Sequence, residues 1–330
     1  MTGYREIPPM PLFKRIISRI LPEKYAYNPR NISLHFHQFN QHLSQNDLGG
    51  AIQFYETLNS GEQTLLVEAV SEIVQDDTFF DAWFDDGNGP SLSALLRGAV
   101  LVKRAWFHRG GGRGEDVTQD NWQKMEAALD QAIESLKPIL YDPVYGREAN
   151  ARCIRAAKGL GLSWDQLDIL LENIRSNQKH HVFGEIDYLV ASCKKWLGSD
   201  EKMFEHAFSA MAEYPGSAAM GCLLAAAHFE RLFYIDHFEG DAALAAQYQS
   251  DQKILSEIRA ASQRLLRKSE PGAPEHIFAH NVFACAFYNF DLHQDAKAHF
   301  LHIGEQITPY PWRYFFADDI QRAHTLAMRT

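Results

Sequence analysis

From Trp122 onward the apolar positions run Trp122, Met125, Leu129, Ile133, Leu136 and Leu140. Steps of three and four residues line one face of a helix and leave the polar residues on the other. The same period governs almost every segment that follows a proline-punctuated N-terminal arm. Helix starts carry their own marks. Ser60 with Gln63, and Ser163 with Gln166, have the spacing of a capping box, in which two side chains satisfy free amides reciprocally. Asp200 and Glu201 follow Ser199, where a helix dipole favours negative charge. Breaks fall at Gly49–Gly50, Gly87–Pro90, Gly110–Gly114, Pro143, Gly161, Gly198, Pro215–Gly216, Pro271–Pro274 and Pro309. They delimit segments of helical length, and no alternating run bounded by hairpin turns interrupts them. The pattern predicts an all-α fold. Short connections favour antiparallel neighbours, and a series of such pairs predicts an α-solenoid.

The repeats are degenerate, but one is legible. In "IFAHNVFACAFYNFDLHQDAKAHFLHIGEQITPYPW", Phe283, Ala284 and Phe287 form a large-small-aromatic set on a first helix. Ala296, Phe300 and Ile303 form the matching set on a second, with Pro309 beyond it. Small residues let two helices cross closely while large ones fill the gaps beside them. This unit resembles a tetratricopeptide repeat. "ANARCIRAAKGLGLSWDQLDILLENI", from Ala149 to Ile174, reads as another pair turning at Gly159 and Gly161. Leu101–Trp106, the glycine-rich turn after it, "LKPILYDPVYGREA", "KKWLGSDEKMFEHAF" and "LLAAAHFERLFY" resemble a tetratricopeptide-like bacterial family of unknown function, from Pro90 to Tyr234. That resemblance implies a helical repeat and supplies no catalytic residues.

The domain reading is an N-terminal arm with a short capping helix over residues 1–30, then one helical-repeat domain over 31–330. Within the arm, "PLFKRIISRILPEK" is basic and amphipathic, and reads as the cover of the first repeat rather than as a membrane contact. The longest uncharged apolar patch, "SAAMGCLLAAAHF", is too short to span a bilayer. Cys153, Cys193, Cys222 and Cys285 lie far apart on apolar helix faces, the pattern of buried reduced thiols. With no leader-like segment visible, the expected location is cytoplasmic. The net charge of -10 argues against a nucleic-acid binder and favours a basic partner.

Candidate chemistry lies in three places. In "RAWFHRGGGRGEDVTQDNW", glycines sit among Arg104, Trp106, Arg109, Arg113 and Trp122. A phosphate loop requires a strand before it and GK[ST] within it; here a helix precedes and Glu115-Asp116 follow Gly114, so the stretch reads as an elbow between helices. Arg97, Lys103, Arg104, Arg109 and Arg113 run without an intervening acid and offer a local patch to an acidic segment. The second place is "VQDDTFFDAWFDDG", with Asp76, Asp77, Asp81, Asp85 and Asp86 and the apolar anchors Phe79, Phe80, Trp83 and Phe84. Asp76, Asp77 and Asp81 loosely resemble the magnesium-binding aspartates of class I terpenoid synthases, and "WRY" at Trp312–Tyr314 resembles an Arg-Tyr pair of those enzymes. That resemblance implies a magnesium-dependent all-α enzyme as the alternative. A second metal motif in the later half does not accompany it. Third, the histidine pairs His35/His37 with His42, His276 with His280, and His180-His181 lack the third ligand of a zinc motif.

The expectation is therefore a protein-binding module without cofactor, metal or catalytic residues. Its concrete form is a cytoplasmic immunity, chaperone or adaptor protein for a basic bacterial toxin or effector. The expected partner-binding residues are Asp76, Asp77, Asp81, Trp83, Asp85, Asp86, Arg104, Trp106, Arg109, Arg113 and Trp122.

Overall fold

A computed structural model describes residues 25–74, 76–80, 92–176, 181–315 and 320–330. Among these residues every regular element is helical, sixteen α-helices with short 3-10 turns and one π-helical turn between them, packed as antiparallel neighbours. The arm before Tyr25, with its expected capping helix, lies outside the described residues.

The helices are α1 Phe36–Ser44, α2 Leu48–Thr57, α3 Ser60–Ile73, α4 Leu92–Arg109, α5 Gln119–Leu136, α6 Gly146–Leu160, α7 Trp164–Arg175 and α8 Val182–Ala191. After them come α9 Asp200–Glu213, α10 Cys222–Tyr234, α11 Ala242–Gln249, α12 Gln252–Lys268, α13 Pro274–Asn289, α14 His293–Ile303, α15 Pro309–Phe315 and α16 Ile320–Arg329. One row, α4, α6, α8, α10 and α13, packs each member against the next, and α3 reaches α13 as well as α4. Against that row lie the partners α5, α7, α9, α12 and α14.

Local chemistry explains the boundaries. The side chain of Thr118 accepts from the Asn121 amide at 3.3 Å and opens α5, whose Met125, Leu129 and Leu136 are buried as their spacing requires. The Ser163–Gln166 capping box is present at α7, and Ser199 caps α9. At α3 the box is one residue earlier than expected, Asn59 with Glu62, because the Asn59 carbonyl-amide accepts from Glu62 N–H at 3.0 Å. Gly49 and Gly50 do not break the chain. Asp47 accepts from the Gly50 amide at 2.9 Å and draws both glycines into the first turn of α2.

Two glycines answer to different needs at the α6–α7 connection. Gly161 takes the left-handed φ of 64° that ends a helix. Gly159 is still helical, and a Cβ there would lie 2.5 Å from both Leu129 Cδ1 and Met125 Cε, so α5 and α6 touch through its missing side chain. The α13–α14 pair is as its sequence predicts: Phe283, Ala284, Phe287, Ala296, Phe300 and Ile303 are all buried. The apolar stretch of α10, Cys222–Ala227, is core, and among the described residues no helix is long and apolar enough to cross a membrane. All four cysteines are buried free thiols, each far from the others in sequence.

Candidate functional site at the arginine–glycine elbow

The α4–α5 hairpin closes through the glycine-rich elbow, where Gly110 adopts a φ of 71°. The arginines of the elbow fold back instead of spreading as a basic face. Arg109 Nη1 donates to the carbonyls of Gly110 at 3.0 Å and Gly112 at 2.7 Å, and its guanidinium lies 5.3 Å from the Trp196 ring centre. Arg113 Nη2 donates to the His237 carbonyl at 2.5 Å, near Glu115 Oε1 at 3.9 Å and 5.9 Å from the Phe238 ring. Lys103 pairs with Glu72 of α3, and Arg104 is half-buried. The sequence run of five cations is thus not one patch, because helix geometry sends its members in different directions.

What the elbow does expose is aromatic. Phe107 at the end of α4 is 80% exposed, Trp122 at the start of α5 37%, and Phe238 beneath Arg113 44%. Trp106, on the same turn as Phe107, points inward and meets Trp196 edge-on at 5.5 Å. Beside Phe238, the π-helical turn Ile235–Glu239 borders a cleft of about 250 Å³ lined by Phe229, Phe233, His237 and Gln249. Lys194 spans to this turn, donating to Glu239 Oε1 at 3.1 Å. These rings share the elbow's surface with exposed charges, Arg113 and Glu115 among them.

Behind the elbow, the row of inner helices carries a buried ionic network. Arg152 of α6 donates through Nε to Glu148 Oε1 at 2.6 Å and through Nη1 to Glu68 Oε2 at 2.5 Å. Arg155, one turn on, reaches Glu68 Oε2 at 2.8 Å and Asp187 Oδ1 at 3.0 Å. Glu148 also accepts from Thr64 Oγ1 at 2.6 Å and lies 3.3 Å from His181 Nε2. The Gly184 amide donates to His181 Nδ1 at 2.9 Å, so the ring proton resides on Nε2 and faces Glu148. Burial would raise both carboxyl pKa values. The Arg155 and Arg152 charges outweigh it at Glu68 and hold it far below the carboxylate range; Arg152 and His181 bring Glu148 down to about 2. Continuing along α6, Lys158 enters a cage of Trp106, Trp196 and Tyr314, and Lys195 Nζ approaches Glu230 Oε2 to 2.5 Å.

The acidic segment is only partly described. Asp76 is exposed, and Asp77 opens the 3-10 turn Asp77–Phe80. Phe80 is fully buried, the anchor its sequence predicts, while Phe79 is 39% exposed. Asp81, Trp83, Phe84, Asp85 and Asp86 lie outside the described residues. The Trp312–Tyr314 trio is packed: Trp312 Nε1 donates to Asn281 Oδ1 at 3.0 Å, Arg313 Nη1 to Glu72 Oε2 at 2.7 Å, and Tyr314 Oη accepts from Trp196 Nε1 at 2.8 Å. These contacts engage the Arg-Tyr pair that accompanies the terpenoid-synthase resemblance, whose aspartates are Asp76, Asp77 and Asp81. Among the described residues no group of three His, Cys, Asp or Glu side chains is arranged to hold a metal ion.

Of the expected binding residues, Trp106, Arg109, Arg113 and Trp122 belong to the elbow and its flanking helix ends, with Trp106 turned inward; the sequence did not single out Phe107, Phe238, Lys158 or Trp196. Lys158 had a visible signal: Glu148, Arg152, Arg155 and Lys158 recur every three or four residues on one face of an otherwise alanine-rich helix. Comparison of the chain with protein families, with curated proteins and with solved structures found no match.

Proposed function

We propose that the protein is a tetratricopeptide-like solenoid that binds another protein through its elbow end. The repeat reading is supported by the inner row α4, α6, α8, α10 and α13, each member backed by an antiparallel partner, and by the small-large packing of α13 on α14. The observation that carries the binding role is the exposure of Phe107 and Trp122 where α4 ends and α5 begins, and of Phe238 against Arg113 of the elbow between them. Exposed rings beside an arginine have the composition of interface hot spots. The neighbouring cleft supplies a recess for a partner side chain. The net charge of -10 supports a partner of opposite overall charge, as for an immunity, chaperone or adaptor protein holding a basic toxin or effector.

The test compares two triple variants of the tagged full chain. One carries Phe107→Ser, Trp122→Ala and Phe238→Ser; the other carries Ile169→Ser, Phe208→Ser and Leu301→Ser, equally exposed residues away from the elbow. A partner captured from cells of origin should stay with the second and weaken by roughly 30-fold or more on the first, the loss of one hot spot of about 2 kcal/mol. Equal retention by both variants would overturn the reading.

A further inference from the structure

Beneath the elbow, buried hydrogen-bond donors stand without an acceptor. Lys158 Nζ lies 4.8 Å from the Trp106 ring centre, 5.2 Å from that of Tyr314 and 5.5 Å from that of Trp196. The faces of these rings meet its charge but accept none of its three N–H bonds. Arg109, on the same Trp196 ring at 5.3 Å, keeps a buried Nε–H with no acceptor. Trp106 Nε1–H is likewise buried and unmet. A buried donor without a partner costs free energy that a ligand supplying acceptors would return.

The nearby carboxylates face other cations. Asp187 and Glu68 hold Arg155 at 3.0 Å and 2.8 Å, and Glu230 holds Lys195 at 2.5 Å. Lys158 and Arg109 thus lie against rings, and Lys158, Trp106, Trp196 and Arg109 are each half-buried as residues. Burial, reinforced by the charges of Arg155 and Lys195 and opposed by Asp187 and Glu230, brings the Lys158 ammonium down to about 8. A negative group beside it would restore the ordinary value.

We infer that Lys158, Arg109 and Trp106 form a binding site for one small anionic group, a carboxylate or a phosphate, beneath the arginine–glycine elbow. The two cations supply the charge and N–H donors, the indole N–H a third direction, and the rings exclude water from the far side. This site stands on the unmet donors, independently of the partner-binding surface above it.

The test titrates the full chain with inorganic phosphate and, separately, with acetate, at constant ionic strength set by chloride. Tryptophan fluorescence reports Trp106 and Trp196, and carbon-13 signals of the lysine ε-carbons report Lys158 directly. At least one anion should give a saturable change, with the Lys158 titration midpoint moving up. Binding should weaken about tenfold or more in Lys158→Met and measurably in Trp106→Phe, which keeps a ring but removes the N–H, while Lys194→Met binds as the parent does. Saturation by phosphate alone assigns a phosphate group, and by acetate alone a carboxylate. Absence of any saturable change with both anions overturns the inference, as does undiminished binding in Trp106→Phe together with an unmoved Lys158 midpoint.

Discussion

Replacing Arg152 by methionine isolates what the inner ionic network does. Arg152 is 2% exposed and bridges Glu148 and Glu68, which belong to different helices. Methionine fills much of the same volume, so cavity formation is a minor part of the change. What remains is Glu148, with only Thr64 and His181, and Glu68, with Arg155 alone. Removing one member of a buried ion network in this way costs about 3–5 kcal/mol, because a buried carboxylate loses its compensation. At roughly 2–4 °C per kcal/mol for a large domain, the melting temperature should fall on the order of 10 °C. The pH dependence carries the sharper test. In the parent chain both carboxyls have folded pKa values below their unfolded ones, so their stabilisation is present above the unfolded value and is lost as pH falls through the folded one. Without Arg152, burial raises Glu148 instead, and the variant gains by taking up a proton as pH falls. The gap between parent and variant in urea denaturation should therefore be widest at pH 7 and narrow toward pH 4. A penalty under about 1 kcal/mol at pH 7, or one that widens on acidification, would refute the reasoning.

Other expectations follow from single contacts. Gly159→Val should cost about 1–3 kcal/mol in chemical denaturation by driving α6 from α5, while Gly111→Ala, with open space around it, should be silent. His280 and His299 face each other at 2.8 Å and end on Ser269 and Ser262, and burial lowers both, His280 to about 3. Their folded pKa values lie below the unfolded value of about 6.5, so the stability they confer as neutral rings is full above that pH and declines below it. Histidine NMR should find both rings neutral at pH 5 in the folded chain; a midpoint near 6.5 for either would contradict their burial. The four thiols should resist a thiol reagent in the folded protein and react together on unfolding, since burial raises Cys153 to about 12.

The helices were legible because their spacing and caps are local properties. Thr118, Ser163 and Ser199 act on amides three residues away, and Met125, Leu129 and Leu136 bury the face that their period defines. The ionic network was not legible as a whole, because only its Glu148–Arg152 pair is local, while Arg155 meets Asp187 32 positions away and Arg152 meets Glu68 84 positions away. An isolated glutamate in "LLVEAVSEI" reads as one polar position on an apolar helix, and only its partner explains it. The elbow was legible as a break and as a place rich in arginine. Its surface was not, since whether Arg109 projects or folds back depends on the carbonyls of Gly110 and Gly112 and on Trp196 from a distant loop. Phe107 and Phe238 are ordinary apolar letters in sequence. Their exposure appears only in the fold, where Arg113 of the elbow meets His237 and Phe238 of the π-helical turn.

The central claim, that the elbow end is the binding surface, is tested most directly by amide hydrogen exchange on the chain alone and on its captured complex. Protection on binding should concentrate in residues 104–122 and 235–240, where Phe107, Arg113, Trp122 and Phe238 stand. Protection confined to the outer helices α7, α9 and α14, with the elbow unchanged, would contradict it.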